Sequence, residues 1–137
     1  VHAHVMPEQL PSCLGSSVPP LWPATAAAPD AGGLCQRHIM IAGKNYRTVS
    51  EKCWSVSRRL ADPPQMGLAR QVISPMPELL SCWFQPDQAQ PLLRFLSEQI
   101  AAMAAESAGA LIGMAAVPLQ LRAAMRRSCL GLPEAAA

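Results

Sequence analysis

The sequence predicts an α/β fold built on a parallel sheet, and three observations support that expectation. β-Prone segments at 1–5, 69–75 and 110–118 alternate with helical patterns, giving the order strand, flap with hairpin, helix, strand, helix, strand, helix. Leu92, Leu93, Leu96, Ile100 and Met103 recur at three- and four-residue spacing, which lays an apolar stripe along one helix. The run "ALIGMAAVP" that follows is almost continuously apolar, as expected of a strand buried on both faces. This alternation fits either an open sheet or a piece of a barrel.

Each element has its own local reason. "VHAHV" reads as a short strand closed by Pro7, with His2 and His4 on one face and Val1, Ala3 and Val5 on the other. From Met6 to about Leu34 the chain is rich in Pro, Gly, Ser and Ala without sustained periodicity, and it predicts a long loop or flap. "HIMIAGKNYRTVS" places two β-prone runs around Gly43-Lys44-Asn45, the pattern of a hairpin with Arg47 on its second arm. "EKCWSVSRRLADPPQMG" begins as a helix carrying Trp54, Val56 and Leu60. Pro63 and Pro64 should end it near Ala61. "ARQVISP" is a brief strand, and "MPELLSCWFQP" is the loop that leaves it. Asp87 is the expected N-cap of the long helix, with Gln90 three residues on and Pro91 in the first turn, and the helix should end near Ser107. "LQLRAAMRRSCLGLP" reads as a last, weakly amphipathic helix.

Composition narrows the function classes. A chain of 137 residues that is 50% apolar corresponds to one domain with enough material for a core. Its 14 prolines and 4% aromatic content put much of the early chain into loops. A net charge of +2 without a basic run offers no footprint for a phosphate backbone, so nucleic acid is not expected as a partner. The longest apolar stretch is too short to span a bilayer, so no membrane partner is expected. Five scattered cysteines, Cys13, Cys35, Cys53, Cys82 and Cys129, contain no C-x-x-C pair. They read as reduced thiols of a cytoplasmic protein.

Chemistry concentrates in few residues. His2 and His4 on one strand face can converge on an ion at about 2.0–2.1 Å from each nitrogen, or can be two ordinary residues of a half-buried strand. The ends of parallel strands are where ligands collect, which favours the metal reading. His38 and Glu8 are the other candidates for such an ion, although exposed loop residues are the commoner case. Trp54 and Trp83 read as packing anchors, and Met76 and Met103 as gap-fillers. No cysteine has a neighbour that would make it a nucleophile.

"VHAHVMP", "YRTVSEKCW", "SPMPELLSCWFQP" and "LIGMAAVPLQ", in this order and spacing, resemble the first third of the aminocarboxymuconate semialdehyde decarboxylase branch of the amidohydrolase superfamily. The resemblance runs from Val1 to about Gln120. It implies a metal-dependent (β/α)8 TIM barrel, of which this chain is the N-terminal part with about three β/α units and a flap and hairpin insertion at about 7–49. It also implies a divalent metal, usually zinc, and a non-oxidative decarboxylation of a small unsaturated or aromatic carboxylic acid without an organic cofactor. His2 and His4 match the family's first two metal ligands. Arg47 matches an arginine that reaches from the flap to a substrate carboxylate, a task suited to its planar fork. Tyr46 would line the same pocket. The other ligands and the proton-moving histidine belong to later strands, so no catalytic residue is expected within this chain.

The chain also departs from the family. Two prolines in "ADPPQMG" interrupt a helix that relatives continue, and "LGLPEAAA" stands where a longer helix would lead to a fourth strand. A barrel typically needs about 250 residues. The chain is therefore expected to be a piece of such a protein, inactive alone, with a homodimer as the candidate state of the intact parent. A frameshift, a partial gene or a deliberate cut would each yield it. Two other readings stay open: a metal-dependent lactone or amide hydrolase of the same superfamily, and a non-catalytic product that needs a partner.

Overall fold

The computed structural model describes residues 1–13, 18–62 and 67–118. Within them the chain is mixed α/β, with one parallel and one antiparallel sheet of three strands each. The elements are β1 (His2–Val5), β2 (Ala24–Ala31), β3 (Leu34–Ile41), β4 (Lys44–Ser50), α1 (Val56–Leu60), β5 (Gln71–Pro75), α2 (Pro86–Glu106) and β6 (Leu111–Gly113). Short 3-10 turns occupy Glu51–Cys53 and Pro77–Leu79. The expected last helix, the prolines Pro63 and Pro64, and Cys129 lie outside the described residues.

In the parallel sheet, β5 lies between β1 and β6. The second sheet is a β2-β3-β4 meander inserted between β1 and α1. The sequence placed a loop where β2 runs. "ATAAAPDA" lacks the branched and aromatic residues that favour strands, so its extended form rests on pairing with β3. Its register shifts between Ala28 and Ala31, where Pro29 has no amide to donate. The β3-β4 hairpin occurs as expected, but its turn is Ala42-Gly43, both with positive φ.

Helix boundaries differ in instructive ways. The expected helix from Glu51 is split by Ser55, whose Oγ accepts from the Arg58 amide and starts α1 afresh, and Ala61 is its C-cap. The N-cap of α2 is Gln85 rather than Asp87. Pro86 takes the first helical position and Asp87 sits in the first turn, favourably placed for the helix dipole. Pro91 consequently lies inside the helix and removes one main-chain hydrogen bond there.

The stripe of α2 joins two core clusters. Ala89, Leu92, Leu93 and Leu96 pack with Met6, Ile39, Val49, Met76, Leu79 and Phe84, which ties the helix to the antiparallel sheet. Further along, Ile100 and Met103 pack with Val5, Val56, Ile73 and Leu111 over the parallel sheet. β6 approaches α2 so closely that a Cβ on Gly113 would lie 2.8 Å from Ile100 Cγ2. The expectation that β6 is buried on both faces is corrected: Leu111 is buried, but Ile112 and Met114 are 45% and 51% exposed. Among the described residues β6 is an edge strand, and α2 covers one face of it.

Candidate functional site

Parallel pairing sets the site. His2 lies beside Val72, and His4 beside Ser74. Val5, Ile73 and Leu111 turn toward the helices, so alternation turns His2, His4 and Ser74 to the opposite face. Both histidines are exposed, with ring centroids 4.8 Å apart and planes at 73°. Buried Ser74 lies between them: its Oγ is 2.8 Å from His2 Nε2 and 3.2 Å from His4 Nδ1. His4 Nδ1 also lies 3.1 Å from the Pro75 carbonyl oxygen.

Arg59 supports this strand from its outer edge. One terminal nitrogen donates to the His4 carbonyl at 3.3 Å and the other to Gln71 Oε1 at 2.8 Å. Its Nε is buried without a hydrogen-bond partner among the described residues. Burial lowers the pKa of this guanidinium, with partial opposition from Cys53 and Asp62. Its ordinary value is so high that the charge is retained.

Arg47 is brought to the carboxyl end of β5 by a carboxylate. Its Nε lies 3.2 Å from Oε1 of Glu78, which is in the 3-10 turn just beyond Pro75. The arginine side chain is 51% exposed and that of Glu78 only 4%. The contact is an ion pair that falls short of hydrogen-bond alignment. Tyr46, which is 59% exposed, occupies a register shift in β4, where pairing passes from Ile39↔Arg47 to Met40↔Asn45. Among the described residues, no hydrogen bond or ion pair joins Tyr46 to Arg47 or to the histidines.

The other candidates have different partners. Glu8 accepts from Arg37 at 2.7 Å, and His38 Nδ1 lies 2.8 Å from Thr48 Oγ1 and 3.1 Å from Asn45 Nδ2. Trp54 packs against the core, whereas Trp83 is 45% exposed and meets Phe84 edge-on. Burial pushes the Cys53 thiol above its usual range, so it is held protonated. Among the described residues, Cys35, Cys53 and Cys82 form no disulfide.

Sequence reasoning missed three residues at the site: Ser74, Glu78 and Arg59. Ser74 could have been found from the alternation of "QVISP" set beside "HAHV". Glu78 stands out only as a carboxylate in an apolar run, and Arg59 gave no signal.

The geometry defines an α/β protein whose parallel sheet presents paired imidazoles at a strand's carboxyl end. Comparison with known proteins adds relatives to that description. No family model matches the chain. It is similar to the protein named 2-amino-3-carboxymuconate-6-semialdehyde decarboxylase in Dictyostelium discoideum, with 27% identity over 120 residues covering 88% of this chain and 32% of that protein. The Caenorhabditis elegans protein of the same name is 24% identical over 119 residues, covering 87% of this chain and 29% of its own length. The chain thus spans about a third of the length of the curated relatives it matches. No helix among the described residues is long and apolar enough to cross a membrane.

Proposed function

We propose that this chain is the opening section of a metal-dependent, non-oxidative decarboxylase of the amidohydrolase superfamily. Its substrate would be a small unsaturated or aromatic carboxylic acid, bound on a (β/α)8 barrel that β1, β5 and β6 begin. The observation that carries the reading is the placement of His2 and His4 on one exposed face at the end of β1, in a chain similar to two proteins named as decarboxylases.

The donor chemistry fits a divalent ion in part. Imidazole nitrogens suit zinc, but a catalytic zinc takes three or more protein ligands. Among the described residues, no three His, Cys, Asp or Glu side chains come together. His2 and His4 would therefore hold one side of the ion, and further donors would come from later strands of a whole enzyme. When bound, such an ion polarises a substrate oxygen and lowers the pKa of bound water.

The chain's own residues have separable tasks. Arg47 offers its terminal nitrogens to a substrate carboxylate while Glu78 holds its Nε side. Arg59 fixes the outer edge of β1 through the His4 carbonyl. None of these moves a proton at the substrate carbon, so the chain alone is expected to release no CO2 at an enzyme-like rate. A cytoplasmic setting belongs to the same proposal.

The test is to measure zinc binding and CO2 release from 2-amino-3-carboxymuconate semialdehyde, using the chain and a chimera in which it replaces the matching part of the Dictyostelium discoideum protein. Binding by both and CO2 release by the chimera alone are expected. Ring opening of a lactone without CO2 release would replace decarboxylation with hydrolysis. Exposed Ile112 and Met114 beside the edge of β6 favour a second reading, in which the isolated chain needs a covering partner.

A further inference from the structure

We propose that Ser74 is the positioning residue of the histidine pair, selecting the ring tautomer that leaves Nε2 of His2 without a proton. The inference rests on the metal reading above only for its consequence, because its geometry stands alone.

Proton counting carries it. The Pro75 carbonyl oxygen can only accept, so its contact at 3.1 Å places the His4 proton on Nδ1 and leaves His4 Nε2 as a bare acceptor. Ser74 Oγ, 3.2 Å from the same Nδ1, then meets a donor and serves as its second acceptor. The single hydroxyl hydrogen of Ser74 has two acceptors within reach, His2 Nε2 at 2.8 Å and the Pro75 carbonyl oxygen at 3.5 Å, and the shorter contact takes it. A ring nitrogen that accepts carries no proton, so His2 is protonated at Nδ1 as well. Both rings thus take the same tautomer, with Nε2 unprotonated on each and that of His2 held by the Ser74 hydroxyl. Ser74 is buried and lies beside His4 in register, so the strand pairing itself aims its hydroxyl. Metal-bound histidines ordinarily have their second nitrogen fixed by an outer partner, as the Pro75 carbonyl fixes Nδ1 of His4. On His2 the Ser74 hydroxyl instead holds the nitrogen an ion would take, so it must turn aside when His2 binds.

The experiment is two-bond proton–nitrogen NMR of the 137-residue chain at alkaline pH, with zinc titration calorimetry alongside. Wild type and Ser74→Thr should show both histidines protonated at Nδ1. In Ser74→Ala, His2 should shift toward the Nε2-protonated form while His4 stays on Pro75. An unchanged His2 tautomer in Ser74→Ala would overturn the assignment. If wild type binds no zinc, the metal reading falls, and the tautomer measurement alone decides the role of Ser74.

Discussion

Replacing Arg47 with methionine removes the cation beside a carboxylate that is only 4% exposed. At 3.2 Å the gross attraction is about 5 kcal/mol for an effective dielectric near 20, most of it offset by the cost of drying Glu78. Breaking a fully buried pair costs about 3–5 kcal/mol. Arg47 is half exposed, so water screens the pair and repairs part of the loss, and the expected cost is about 2 kcal/mol. The pair also joins β4 to the turn after β5, so the loss should appear in global unfolding. Urea unfolding of Arg47→Met, Glu78→Leu and the double variant measures it. The double variant should lose less than the sum of the singles, with a coupling of about 1 kcal/mol or more. A cost for Arg47→Met within about 0.5 kcal/mol and no coupling would refute the reasoning, because the ion pair would then contribute nothing to holding the turn.

Other perturbations test other parts of the fold. Gly113→Ala places a methyl 2.8 Å from Ile100 Cγ2 and should cost about 1–3 kcal/mol in thermal or urea unfolding, partly relieved by Ile100→Leu, which lacks that methyl. Ala42→Gly and Ala108→Gly, at φ of 52° and 50°, should each stabilise by about 0.5 kcal/mol, since relief of left-handed strain outweighs the added chain entropy. Iodoacetamide followed by mass mapping should modify exposed Cys82 before Cys53. Because burial raises the Cys53 pKa in the fold, the unfolded chain loses that proton first. Stability contributed through Cys53 should therefore decline as pH rises through the ordinary thiol range, and Cys53→Ser should remove that slope in pH-dependent unfolding.

What could be read in advance follows from where the physical signal was local. The stripe of α2 and the β3-β4 hairpin rest on periodicity and turn residues, and both occur near the expected positions. β2 was hidden because its strand form comes from a neighbour rather than from its alanines. The start of α2 shifted because Pro86 opens the helix without a capping side chain, the role expected of Asp87. β6 was expected to be buried because apolar composition gives no information about how many faces are covered. At the site, strand alternation predicted that His2 and His4 share a face. Ser74, Glu78 and Arg59 depend on pairings across 70, 31 and 55 residues of sequence, which periodicity cannot report.

The central claim is that His2 and His4 together hold a divalent ion, and zinc titration calorimetry of the wild-type chain and of His2→Ala, His4→Ala and the double variant tests it most directly. The account predicts stoichiometric binding by wild type and its loss in each single variant. Equal stoichiometry in wild type and the double variant would contradict it.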